Sequence, residues 1–157
     1  MAKAIPEGFQ SVTPYITVRD ARKAIEFYKR AFGAVVRFAM PGPGGEGVMH
    51  AELLIGDSII MMGVENPNEP CKSAQTMGGS PVSFYLYHEN ADEAFRSALA
   101  AGAEMKMPVQ DMFWGDRVGT VQDPFGYQWS LATHTKELTP QEIEEGARAW
   151  FARMAKK

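Results

Sequence analysis

"DARKAIEFYKRAFGA" at residues 20–34 and "NADEAFRSALAAGA" at residues 90–103 carry one pattern twice. Each opens on a side chain suited to capping a helix N-terminus, Asp20 or Asn90, continues with apolar residues at helical spacing, and stops at a glycine, Gly33 or Gly102. Ala24 with Ala94, and Gly56 with Gly126, keep the same offset of about 70 residues, so the chain reads as an internal duplication with too few copies for a solenoid.

Strand signals flank each helix in the same order. In the first half, "VTPYITVRD" (12–20) precedes the helix, and "AVVRFAM" (34–40), a "PGPGGEG" turn and "MHAELLIGDSIIMMG" (49–63) follow it. The last of these reads as a hairpin turning at Gly56 and Asp57, which sets Glu52 opposite Met61. In the second half the strands are "SPVSFYLYHE" (80–89), "AEMKMP" (103–108), "RVGTVQ" (117–122) and, after the "DPFG" turn, "YQWSLAT" (127–133). Between the halves "ENPNEPCKSAQTMGGS" (65–80) has linker chemistry, long enough for the halves to pair within a chain or between chains. "TPQEIEEGARAWFARM" (139–154) adds a further helix with Thr139 as N-cap, Glu142 closing a capping box, and an apolar stripe of Ile143, Ala147, Trp150, Phe151 and Met154.

The bulk properties bound what such a chain does. With 157 residues, 45% of them apolar and 22% charged, one domain with a real core is expected. A net charge of -3 without clustered Lys and Arg disfavours nucleic acid as a partner. No run of about 18 apolar residues predicts a membrane span, and the start lacks a signal-peptide core. Cys71 is the single cysteine, so no intrachain disulfide forms, and a cytoplasmic location is expected.

A duplicated strand, helix and three strands with "DARKAIEFYKRAFG" in one half and "DPFGYQWSL" in the other resembles the vicinal oxygen chelate superfamily, which includes glyoxalase I, extradiol dioxygenases and fosfomycin and bleomycin resistance proteins. "PYITV" and "FWGDRVGTVQDPFG" look most similar to its PhnB-like branch. The resemblance implies an α+β fold of two tandem βαβββ modules forming a curved-sheet cup, plus the C-terminal helix. The expected layout is one domain over residues 11–134 (module 1 about 11–64, linker about 65–79, module 2 about 80–134) and a helix over 139–156.

In metal-dependent relatives one side chain on the first and one on the last strand of each half hold the ion. Carried over on the matching motifs, those positions are Thr13, Met61, Ser83 and Ser130. Hydroxyls and a thioether are poor donors for a divalent cation, so no metal and no other cofactor is expected. Period-two alternation then puts Tyr15, Ile59, Tyr85 and Gln128 on the cavity side with them, and Ile16, Phe84, Trp129 and Leu131 toward the helices. Trp114 stands in a loop able to cover the cup, and Arg117 is a candidate for an anionic ligand group or for pairing with Asp116 or Glu52. His50 and Glu52 share a strand face and are the candidate acid and base, or an off-pattern metal pair, against the plainer reading of a hydrogen-bonded strand histidine. His88 and His134, at strand ends, receive no role.

The reading that follows is a metal-independent protein, expected to be a homodimer, that binds or sequesters a small organic, possibly aromatic ligand. The alternative is a lyase, isomerase or dioxygenase-like enzyme with a rearranged metal or acid/base site at His50 and Glu52.

Overall fold

The computed structural model describes residues 1–156. β1 (Tyr15–Val18), α1 (Ala21–Phe32), β2 (Val35–Met40), β3 (His50–Ile55) and β4 (Ser58–Val64) are followed by a short α2 (Ala74–Met77) inside the connecting segment. The order then repeats as β5 (Phe84–Tyr87), α3 (Ala91–Ala101), β6 (Glu104–Asp111), β7 (Asp116–Gln122) and β8 (Gln128–His134), with α4 (Pro140–Met154) last. Each half forms its own four-stranded mixed sheet, β1-β4-β3-β2 and β5-β8-β7-β6, with the first and last strands of each half parallel.

Local chemistry sets the element ends. The Asp20 and Asn90 side chains accept from the backbone N–H groups of Lys23 and Glu93, and Gly33 ends α1 in the left-handed conformation that favours glycine. The β3–β4 register follows the Gly56–Asp57 turn, pairing Ile55 with Ser58 and Glu52 with Met61. β6 runs past Pro108 to Asp111, further than the apolar pattern suggests. It is an edge strand, the place in a sheet that tolerates proline, and its pairing with β7 shifts register twice.

The helix-facing sides of both sheets share one core with α1 and α3. Ile16, Leu53, Ile60 and Met62 from the first sheet join Val121, Trp129 and Leu131 from the second, and Phe84 packs against them. α1 and α3 lie against each other, and the Phe32 ring of α1 sits 4.6 Å from the Trp129 ring of β8. At the centre is Asp123, which is 3% exposed. Its carboxylate accepts from Tyr28 Oη at 2.6 Å, from Trp129 Nε1 at 2.9 Å, and from the backbone N–H groups of Phe125 and Tyr127 at 2.9 Å each. Burial pushes the Asp123 carboxyl up, while these donors pull it the other way. Tyr28 comes from the first half and Trp129 from the second, so one carboxylate ties the halves together.

No helix among the described residues is long and apolar enough to cross a membrane. The fold depends instead on the shared core. Tyr28→Phe removes one donor from a buried carboxylate and is expected to cost about 1–3 kcal/mol in urea denaturation. An unchanged midpoint would show that this bond contributes nothing.

Candidate functional site

The face of each sheet turned away from the helices carries the polar and aromatic side chains that the core does not use. On the first sheet Tyr15 crosses β4 to reach His50 on β3, with its hydroxyl 3.1 Å from His50 Nδ1. Gly63, the β4 partner of His50, makes this possible: a Cβ there would meet the Tyr15 hydroxyl at 2.6 Å. His50 Nε2 lies 3.9 Å from Glu52 Oε1, and the Phe38 ring of β2 is 6.3 Å from the imidazole. Partial burial raises the Tyr15 phenol, and nearby Cys71 and Glu69 add to that. Tyr15, His50 and Glu52 thus form a cluster, bordered by Met61 and by the exposed Phe38 and Met40.

The second sheet holds a denser arrangement around Asp116, the first residue of β7, which is 3% exposed. Its Oδ2 accepts from Tyr85 Oη at 2.8 Å, Tyr87 Oη at 3.0 Å and Trp114 Nε1 at 3.2 Å. Its Oδ1 pairs with His134 Nδ1 at 2.8 Å, and His134 Nε2 lies 3.4 Å from Glu137. Burial alone would raise the Asp116 carboxyl, but the hydrogen bonds from His134, Tyr85, Tyr87 and Trp114 outweigh it and hold the group below the ordinary range. The hydrogen bond to Asp116 lifts the His134 imidazole, and burial with the Asp116 contact pushes the Tyr85 phenol up to about 12.

The Trp114 loop is held from behind. The carbonyl of Gly115 accepts from the backbone N–H groups of Thr135 and Lys136, and Gly115 has the positive φ such a turn demands. α4 braces the same loop: a Cβ on Gly146 would lie 3.0 Å from Phe113 Cβ, and the Phe113 and Trp150 rings are 6.1 Å apart. Phe151 and Met154 of that helix remain exposed.

Several candidates from the sequence meet on these faces and others do not. Tyr15, His50, Glu52 and Met61 gather on the first sheet, and Tyr85, Trp114 and Ser130 on the second, where Ser130 Oγ is 3.1 Å from Thr120 Oγ1. Gln128 is exposed at the start of β8. Thr13 and Ser83 precede their strands, and Thr13 donates to the Gln10 carbonyl. The residues paired with Met61 and Ser130 are therefore Tyr15 and Tyr85. Ile59 is buried at 2% exposure. Arg117 alternates onto the helix side, where Asp92 grips it at 2.6 and 2.8 Å and Asp111 at 3.2 Å, in place of the pairing with Asp116 or Glu52 that its neighbours suggested. Asp116, Tyr87 and His134 had drawn no site role from the sequence. The available signal was the alternation itself, since Tyr87 shares the parity of Tyr85, and His134 that of Ser130.

The donor set at the positions where metal-dependent relatives bind an ion does not fit one. Thr13, Met61, Ser83 and Ser130 offer three hydroxyls and a thioether, too little for a hard or borderline divalent cation to exchange for water.

Residues 8–131 match the Glyoxalase/Bleomycin resistance protein/Dioxygenase superfamily. A protein of Mycobacterium tuberculosis strain H37Rv, Rv0887c, is 38% identical over 137 residues, spanning 85% of this chain and 80% of its own length. The crystal structure of the Arabidopsis thaliana At5g48480 product is similar with a TM-score of 0.66 and 28% identity, over 79% of this chain and 98% of that one. A PhnB protein from Bacillus cereus shares the fold, with a TM-score of 0.60 and 21% identity over 79% of this chain and 99% of its own.

The Asp116–His134 pair makes a signed prediction. A raised histidine stabilises the fold below its unfolded value of about 6.5, an effect lost as pH rises through the folded value. A lowered aspartate stabilises it above about 3.9, lost as pH falls through the folded value. The thermal midpoint of the native protein should exceed that of Asp116→Asn most clearly around pH 5, between those limits. In the variant the His134 NMR titration should move down; a histidine titrating unchanged would refute the pairing.

Proposed function

The chain belongs to the glyoxalase/bleomycin resistance protein/dioxygenase superfamily, and from that premise we propose that it is a metal-independent protein that binds and sequesters a small organic molecule. The observation that carries this reading is the character of the two outer faces. Tyr15, Tyr85 and Tyr87 are 55%, 46% and 59% exposed, beside exposed Phe38 and Met40, while their polar atoms are already fixed by hydrogen bonds. Aromatic walls with a few oriented polar groups suit a small ligand. A cleft of about 580 Å³ between Arg19, Arg22 and the glycine-rich turn at 42–47 includes none of these residues.

The chamber is composite in this proposal. The helix-facing sides of both sheets are consumed by one shared core, so the outer faces of a single chain point away from it, and in this reading a second copy supplies the facing half. Exposed apolar area of this kind is what a partner surface covers.

A second reading has its own support in the Tyr15–His50 hydrogen bond at 3.1 Å, with the Glu52 carboxylate 3.9 Å from the other ring nitrogen. It is an acid/base enzyme with His50 as the base.

Calorimetric binding of quinoline, a neutral aromatic probe, is expected to survive dialysis against EDTA; loss on chelation with recovery on adding a divalent ion would overturn metal independence. Mixing Tyr15→Ala chains with Tyr85→Ala chains should restore about a quarter of the native sites, because every mixed dimer regains one intact chamber. No recovery would place the chamber within one chain. If a turnover assay is found, unchanged turnover in His50→Ala would exclude His50 as the base.

A further inference from the structure

We propose that the chamber selects an organic cation, seated on the rings of Tyr85, Tyr87 and Trp114 with the Asp116 carboxylate behind them. This rests on the reading of the outer faces as a binding chamber and names the ligand class.

The direction of the hydrogens carries the argument. Both phenol O–H groups and the indole N–H aim inward at one buried carboxylate, and Trp114 Nε1 also lies 3.4 Å from Tyr85 Oη. With those hydrogens turned away, the surface offers ring faces and oxygen lone pairs. The Tyr85 and Tyr87 rings stand 5.2 Å apart at 53°, forming two walls of a shallow angle. Ring faces carry the negative part of the aromatic quadrupole, and an ionised carboxylate in a water-poor position reinforces it. An anionic group would find no free donor among these three side chains.

The sign of the remaining charges agrees. Strand pairing places Glu52 on the outer face of the first sheet and Asp116 on that of the second, with no lysine or arginine in the paired outward positions, while the charge of Glu104 is offset by Lys106 at 2.9 Å. The nearby basic side chains are engaged elsewhere. Arg37 lies over the Phe9 ring and near the Glu7 carbonyl, Lys106 pairs with Glu104, and Arg117 pairs with Asp92 and Asp111. His50 and His134 are the basic groups on these faces; the nitrogens of His134 face Asp116 and Glu137, and those of His50 face Tyr15 and Glu52. A ligand with fixed positive charge therefore meets complementary groups from both halves.

The test compares one ring system at three charges: 1-methylquinolinium (positive), quinoline (neutral at pH 7.5) and quinoline-2-carboxylate (negative), each titrated calorimetrically into the intact native protein. The cation is expected to bind about tenfold tighter than quinoline, with the carboxylate weakest. Added salt should weaken the cation alone, and Asp116→Asn should abolish its advantage over quinoline. Because that variant loosens a buried network, the three-probe comparison and its salt dependence on the native protein decide the matter without it. Quinoline or its carboxylate binding as tightly as 1-methylquinolinium overturns the cation assignment and leaves the chamber standing. If none of the three binds, both readings fall.

Discussion

The Asp123 carboxylate is the constraint on which the architecture turns. A buried carboxylate needs hydrogen-bond donors, and here they come from α1 of one half, β8 of the other and the turn that carries Asp123 itself. Satisfying it forces the Tyr28 face of α1 against the helix side of the second sheet, where Trp129 and Phe125 complete an aromatic cluster. Once that contact is made, each sheet has spent its apolar side on the common core. The opposite sides carry the tyrosines, histidines and carboxylates described above, with Ile59, Val118 and Asp116 buried among them.

The two outer faces share a plan but differ in tuning. Both place a tyrosine on the first strand of the half, paired with the middle of the last strand, as expected of a duplicated ancestor. On the first sheet the tyrosine meets an imidazole and leaves a carboxylate at 3.9 Å, loosely coupled and available. On the second, the carboxylate is the hub and every partner is drawn to it, which fixes ring positions with little freedom left. One face holds a single tyrosine–imidazole bond, the other a carboxylate with four side-chain partners.

Much of the fold was legible because its signals are local. Caps at Asp20, Asn90 and Thr139, the terminating glycines and the Gly56 turn all act within a few residues, and alternation along β8 sorted Trp129 and Leu131 from Ser130. The Asp116 hub was not legible, since of its four partners only Trp114 is near in sequence; the others lie 29, 31 and 18 residues away, where strand pairing brings them together. Arg117 was misleading for a related reason. Sequence proximity suggested Asp116, but adjacent strand residues point to opposite faces, and Asp92 on α3 was waiting on the other side. Thr13 and Ser83 fell short of their strands because both strands are only four residues long. The apolar stripe of α4 showed that the helix packs on something, but not that Trp150 and Phe151 brace Phe113.

Pro108 and the two register shifts make β6 a poor template for an added strand, and the break in pairing between Val36 and Phe38 distorts β2 in the same manner. Lateral growth by hydrogen-bonded extension is thus discouraged at these two margins. β1 and β5, the opposite edges of the two sheets, carry no such break in their pairing, so each sheet has one guarded edge and one regular edge.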